Sequence, residues 1–179
     1  MIKDDLQRLC AGPECSAVQA STRVPGRAGF YAIYVDDARA LPTPYSDALS
    51  RRGTRLIYLG IATVSLNERL VEEDLRHQRP STFFRGIGPI LGYRPPRGSL
   101  IGLANQNNYK FSQSDTAQII RWIDEHLEVN WIEATPALRT TEKALILAQR
   151  PLINTTHNLD ALPALAALRR ECRMIARTP

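Results

Sequence analysis

Cysteine is scarce in this chain. Cys10, Cys15 and Cys172 are the three in its 179 residues, and no two of them form a CxxC pair. An odd number of separated thiols argues against a disulfide framework and against a zinc knuckle, which need paired or closely spaced cysteines. We therefore expect the three thiols to be reduced.

Long apolar stretches are also missing. No run approaches the ~18 consecutive apolar residues that a membrane-spanning helix needs, and residues 1–5 have no apolar core of the kind found in signal peptides. The sequence contains no internal repeat and no low-complexity tract. We expect a single globular domain in the cytoplasm, without a membrane partner.

Acidic residues are fewer than basic ones. The chain has 23 Lys and Arg against 18 Asp and Glu, which gives a formal net charge of +5. This excess favours a polyanionic partner such as nucleic acid but does not require one.

Three short apolar runs predict the strands of a small sheet. Residues 29–35 and 56–62 are rich in branched and aromatic side chains, and residues 127–132 alternate in polarity. On the second strand, strict alternation would place Leu56, Tyr58 and Gly60 on one face. The connection at residues 36–55 is too long for a tight hairpin, and we expect an insertion that could act as a DNA-contacting flap.

Helical periodicity accounts for most of the remaining chain. A capping box at residues 65–68 predicts a helix to about residue 77, and apolar spacing predicts another over residues 115–126. Thr135 and Pro136 form a start signal for a helix that ends near Gln149, and residues 162–177 form a last, basic helix. The predicted fold is α/β of the α+β kind, with about three mostly antiparallel strands flanked by helices.

These elements predict a domain at residues 29–157, preceded by an extension at residues 1–28. The basic helix within residues 158–179 would pack on the same domain. Its arginines, from Arg169 to Arg177, could contact DNA or simply form a solvated face.

Glu142 is the residue that fits its surroundings least. It has helical spacing with Leu138, Leu145 and Ile146, so its carboxylate projects from the stripe that should face the core. A buried carboxylate needs a partner or becomes protonated. The partner could be a divalent cation or an arginine, and a structural ion pair with Arg69 is the alternative.

Several other residues have both a structural and a chemical interpretation. Tyr31 and Tyr58 could be core aromatics or active phenols, and Arg69 could pair with Glu73 or bind a phosphate. His77 could be a surface residue or a proton carrier. Asn154 could cap a turn, contact a phosphate or anchor a tyrosine.

A turn-rich segment offers a further contact with phosphate. Ser81 or Thr82 could cap a short helix, and the exposed amides at its start, with Arg85 nearby, would suit a phosphate.

Together, these residues resemble the GIY-YIG nuclease superfamily. Its first signature corresponds to residues 29–31 and its second to residues 58–60. Its arginine, glutamate and asparagine correspond to Arg69, Glu142 and Asn154, in the same order. The chain departs from the family at Phe30, which replaces an isoleucine, and at Glu73, which stands where some members have a histidine; His77 is the nearest substitute.

The resemblance implies a metal-dependent endonuclease that hydrolyses phosphodiester bonds in DNA, with double-stranded DNA as the expected substrate. Glu142 would hold one Mg²⁺ or Mn²⁺. Tyr58 or Tyr31 would orient or deprotonate the attacking water, and Arg69 would offset charge on the phosphate. His77 and Asn154 would complete the catalytic set. Ser81, Thr82 and Arg85 would join Arg69 in contacting nucleic acid.

Two alternatives stay open. One is a nucleic-acid-binding module on the same fold that no longer cuts, and the other is a structural protein whose basic C-terminal helix docks on an acidic surface. The oligomeric state is open as well, although a dimer would make paired cuts geometrically natural.

Overall fold

A computed structural model describes residues 2–134 and 138–179 of the chain. Its centre is a four-stranded antiparallel sheet with the spatial order β1-β4-β2-β3. The strands are β1 (Cys15–Ser16), β2 (Gly29–Val35), β3 (Leu56–Ala62) and β4 (Leu127–Glu133). The α+β class is confirmed, and the two-residue β1 adds a fourth strand to the three that the sequence predicts.

The helices cover both faces of the sheet. They are α1 (Ile2–Ala11), α2 (Ala17–Arg23), α3 (Tyr45–Arg52), a π-helix (Asn67–Leu75), α4 (Phe84–Ile90), α5 (Gln113–His126), α6 (Leu138–Gln149) and α7 (Pro163–Arg177). Among the residues that the structure describes, no helix is both long and apolar enough to cross a membrane. The predicted start of α6 at Thr135 and Pro136 lies outside the described residues.

β2 is buried along its whole length because it has a strand on each side and helices above and below. Its side chains alternate as predicted. Tyr31, Ile33 and Val35 face the larger core, which the π-helix, α4, α5 and α7 cover. Phe30, Ala32 and Tyr34 face a smaller core that includes Leu9 of α1 and Ile146 of α6.

A β-bulge shifts the faces of β3. Ile33 pairs with Tyr58, but the next residue, Tyr34, pairs with Leu56, so Ile57 has no partner of its own on β2. Ile57 and Tyr58 therefore both face the larger core, while Leu56 faces the smaller one. The prediction that Leu56 shares a face with Tyr58 is wrong, because it assumed unbroken alternation.

The connection between β2 and β3 is part of the core. It contains a 3₁₀ turn at Ala38–Ala40 and the helix α3. Leu41, Tyr45 and Leu49 of this segment are at most 3% exposed. The segment therefore packs against the domain and does not form the flap that its length predicts.

The N-terminal segment and the C-terminal helix join the same fold. β1 pairs with β4, and Ala17 and Ala20 of α2 are fully buried in the larger core. Leu165, Cys172 and Ala176 of α7 are buried in that core as well.

Gly60 determines how closely Tyr31 approaches β3. Tyr31 lies directly opposite Gly60 across the two strands. A Cβ atom at Gly60 would lie 2.3 Å from Cζ of Tyr31 and 2.4 Å from its hydroxyl oxygen. The tyrosine ring therefore occupies the space that any other side chain would need.

We predict that Gly60→Ala lowers the free energy of unfolding by about 1–3 kcal/mol, because the ring or the strand must move. The matched control is Gly26→Ala, whose new Cβ would meet only the hydroxyl of Ser65, at 3.8 Å. Urea denaturation of both variants provides the measurement. Equal midpoints and slopes for the two would contradict the predicted clash.

Candidate active site

Tyr31 is a buried hydrogen-bond donor. Its side chain is fully buried, and its hydroxyl donates to Oδ2 of Asp74 at 2.5 Å. Burial, together with the negative charge of Asp74, raises the pKa of Tyr31 far above its usual range. Tyr31 therefore stays neutral and faces the protein interior.

Asp74 is the carboxylate that our sequence analysis missed. It is fully buried on the π-helix. Its Oδ1 accepts hydrogen bonds from the Ser81 hydroxyl at 2.6 Å and from Nη1 of Arg69 at 2.8 Å. Burial raises the pKa of Asp74, while Arg69 and the donors from Ser81 and Tyr31 act in the opposite direction. A signal was present in the sequence, because Leu66, Leu70 and Asp74 are spaced by four residues and so lie on the same face of a helix.

The π-helix brings Arg69 and Asp74 together. Residues five apart do not face each other on an α-helix, where neighbours are three and four apart. A π-helix closes its hydrogen bonds between residues five apart, as between the carbonyl of Val71 and the amide of Arg76 at 3.0 Å. Arg69 can therefore reach Asp74 and also Glu73, at 2.9 Å.

Tyr58 stands at the boundary between the core and solvent. Its side chain is 7% exposed, and its ring lies between those of Tyr31 and Phe83, with centroid distances of 6.3 and 5.3 Å. The hydroxyl has no hydrogen bond to any group that the structure describes. Burial is the main cause that raises the pKa of Tyr58, and the charge of Asp74 adds to it.

A cleft of about 380 Å³ opens beside Tyr58. Residues from β3, the π-helix and α6 line it, and they include Gly60, Arg69, Glu73 and Glu142. Both sides of the cleft carry charges of both signs: Glu68, Arg69 and Glu73 come from the π-helix, and Arg139 and Glu142 come from α6.

Glu142 lies half-buried on α6 and makes no hydrogen bond or ion pair with any residue in the described ranges. Burial raises the pKa of Glu142, and Arg139 and Arg69 lower it from a distance. The predicted ion pair with Arg69 does not form, because Asp74 and Glu73 hold that guanidinium. Residues 2–134 and 138–179 contain no cluster of three His, Cys, Asp or Glu side chains that could hold a metal ion.

Asn154 fastens the segment before α7 to the strand that carries Tyr58. Its side-chain oxygen accepts from the amide of Leu59 at 2.9 Å, and its side-chain nitrogen donates to the carbonyl of Leu59 at 2.8 Å. It also lines a second cleft, of about 210 Å³, together with Tyr58 and Glu142. This geometry corresponds to an anchor beside the tyrosine.

His77 lies apart from this group. Its ring stacks on Phe84 at a centroid distance of 4.1 Å, and burial is the main cause that lowers its pKa to about 4. Neither ring nitrogen has a hydrogen-bond partner among the residues described. The structure brings Tyr31, Tyr58, Arg69, Glu142 and Asn154 together but leaves His77 out of both clefts. The catalytic role of His77 stays a prediction.

The predicted phosphate contacts have separate positions. Ser81 is fully buried, and its hydroxyl accepts from the amide of Phe84 while it donates to Asp74. Direct contact of Ser81 with nucleic acid does not fit this arrangement, and Ser81 instead supports Asp74. Arg85 lines another cavity, beside α7, and Thr82 lines both that cavity and the cleft that contains Asn154.

These features belong to a domain of the α+β class, with tyrosines on two adjacent strands and an arginine and a glutamate across a cleft. The sequence model of one protein family, the GIY-YIG catalytic domain, matches residues 29–173 of this chain. The chain therefore belongs to the GIY-YIG nuclease family. No curated protein and no solved structure matches it significantly.

We predict that Asp74→Asn lowers the free energy of unfolding by about 1–3 kcal/mol, because the amide cannot accept all three hydrogen bonds at Asp74. Glu72→Gln on the same helix is the control, since its pair with Arg79 is exposed and is worth less than about 1 kcal/mol. Urea denaturation monitored by circular dichroism gives both values. Equal losses in the two variants would show that the network at Asp74 is not a stabilising one.

Proposed function

We propose that this protein is an endonuclease that hydrolyses phosphodiester bonds in double-stranded DNA, with one Mg²⁺ or Mn²⁺ at Glu142. The observation that carries the proposal is the shared cleft, in which Tyr58, Arg69 and Glu142 meet. Membership of the nuclease family and the net charge of +5 support a nucleic-acid substrate.

The donor at Glu142 fits a hard divalent cation. A carboxylate that is half-buried and free of ion pairs within the described part of the chain has oxygen lone pairs available. Magnesium is commonly held by one or two carboxylates, with water and substrate phosphate as the other ligands. When bound, such a cation would polarise the phosphate and lower the pKa of a coordinated water.

Arg69 is suited to neutralise the phosphate. Its guanidinium is held by Asp74 and Glu73, and it lines the cleft opposite Glu142. A cation that is already oriented offsets the charge that develops during hydrolysis without further reorganisation. In this proposal Asp74 acts through Arg69 and is a positioning residue.

Tyr58, not Tyr31, is proposed to handle the water. Tyr31 is fully buried and its proton is engaged by Asp74, whereas Tyr58 lines both clefts. Burial raises the pKa of the Tyr58 phenol, and the phenol is therefore neutral at neutral pH. Tyr58 would therefore orient the water, and it could accept a proton only when nearby positive charge lowers its pKa.

We predict that Glu142→Ala reduces nicking of supercoiled plasmid in Mg²⁺ or Mn²⁺ by on the order of 100-fold or more, because the cleft loses a carboxylate that pairs with no described residue. Lys143→Ala is the matched control, since Lys143 is exposed on the same helix. It should nick plasmid like the wild type. Equal nicking by Glu142→Ala and the wild type would remove Glu142 from the proposed mechanism.

We predict that the two tyrosines affect different properties, the cleavage rate for Tyr58 and the stability for Tyr31. Tyr58→Phe should slow cleavage about 100-fold or more with little change in stability, because the lost hydroxyl acts on water and holds no protein group. Tyr31→Phe should lower the free energy of unfolding by about 1–3 kcal/mol, because Asp74 loses a donor. Single-turnover cleavage and urea denaturation of both variants separate the roles. Wild-type cleavage by Tyr58→Phe would remove it from the mechanism.

A further inference from the structure

Three arginines surround a further cavity, of about 310 Å³, beside α7, which we call the arginine cavity. Arg85 comes from α4, and Arg169 and Arg173 come from α7. The other lining residues carry no acidic group; they are Thr82, Asn107, Tyr109, Thr155 and Ala166.

Nine other arginines in the described part of the chain each pair with a carboxylate. Arg94, for example, pairs with Glu171 of α7 at 3.0 Å. Arg85, Arg169 and Arg173 have no carboxylate within ion-pair distance among the described residues. Burial lowers the pKa of Arg85 and of Arg169, and the nearby charge of Arg173 lowers both further. Clustered cations without a counter-ion cost free energy, and an anion placed among them would recover it.

Two of the three guanidinium groups, those of Arg85 and Arg169, are held in place before any ligand arrives. Arg169 donates to the Thr155 hydroxyl at 3.1 Å and to the carbonyls of Thr82 and Ile153 at 3.3 Å. Its Nε is buried and has no acceptor among the residues described. Arg85 donates to the side-chain oxygen of Asn108 at 2.6 Å. Fixed guanidinium groups suit phosphate oxygens, which accept several hydrogen bonds at once.

A glycine makes room for Arg169. A Cβ atom at Gly86 would lie 2.8 Å from Nη2 of Arg169 and 2.6 Å from Cγ2 of Ile153. The absence of a side chain on α4 therefore lets the guanidinium lie against the backbone of that helix.

The cavity adjoins the proposed catalytic site. Thr82 and Thr155 line both this cavity and the cleft that contains Tyr58, Glu142 and Asn154. A chain of phosphates that passes Glu142 could therefore continue past these two threonines to the arginines.

We propose that Arg85, Arg169 and Arg173 form a binding site for a backbone phosphate of the nucleic-acid strand, beside the phosphate that is cut. This inference rests on the proposed nuclease function and adds a subsite to it. The bound group is a phosphodiester, and free inorganic phosphate is the competing source of the same chemistry.

The test variant is Arg173→Ala, because Arg173 makes no hydrogen bond to any described residue and its loss should leave the fold intact. Arg170→Ala is the matched control, since it removes the same charge from an exposed position on the same helix. Binding of a fluorescent DNA duplex is measured by anisotropy, without divalent cation, over a series of salt concentrations. Thermal melting verifies that each variant is folded.

We expect Arg173→Ala to weaken duplex binding about tenfold at low salt and to reduce the slope of log K against log salt by about 0.9, the value for one lost phosphate contact. Arg173→Lys should keep most of the slope, because the positive charge remains. Arg170→Ala should change the slope much less.

Three outcomes would overturn the subsite. The first is an equal slope of log K against log salt for Arg173→Ala and Arg170→Ala. The nuclease proposal would still stand in that case if the wild type cleaves plasmid. Stabilisation by inorganic phosphate that needs Arg173, with unchanged duplex affinity, would assign the cavity to a free anion. A wild-type protein that neither binds nor cuts DNA would reject both proposals, whereas a loss of cutting in Glu142→Ala with normal binding would support the nuclease proposal alone.

Discussion

The network at Asp74 is the constraint on which the proposed site depends. A carboxylate without solvent contact is costly unless donors surround it, and here a phenol, a hydroxyl and a guanidinium do so. Each donor comes from a different element: β2, the segment before α4, and the π-helix. The single group therefore fixes how the sheet, the π-helix and α4 lie relative to one another, and it aims Arg69 at the cleft.

The two tyrosines of the family signatures occupy different environments as a result. Tyr31 is enclosed and bound to Asp74, whereas Tyr58 retains some exposure and no hydrogen-bond partner in the described residues. The bulge in β3 contributes to this difference, because it turns Tyr58 and Ile57 to the same side of the sheet. Asn154 then holds the backbone next to Tyr58 through both polar groups of Leu59.

Much of the fold could be predicted from residue patterns. The periods of two and 3.6 residues located β2, β3, β4 and most helices, and Leu66, Leu70, Val71 and Leu75 of the helix predicted from residue 65 are buried. The two-residue β1 is too short to show a period. The bulge at Ile57 breaks alternation without a mark in the sequence, and helix α3 follows closely spaced prolines that suggested a loop.

The site was predicted less completely, for a physical reason. Glu142 and Asp74 both interrupt an apolar stripe, but only Glu142 was noticed, because Asp74 lies among other acidic residues of a charged helix. The arginine cavity was predicted only in its parts, because Arg85 and the arginines of α7 were each expected as possible contacts with nucleic acid but not as neighbours. It depends on where α4 and α7 meet, and sequence spacing within one helix says nothing about a helix more than 70 residues away.

The π-helix has a further consequence for how sequence length can vary in this domain. Its turns hold one residue more than those of an α-helix, so a deletion of Glu73 would leave Arg69 and Asp74 four apart, the spacing at which α-helical side chains already meet. The contact could then survive a change of helix type. A deletion of one residue here would replace a wide turn with a standard one, while the guanidinium kept its carboxylate partner.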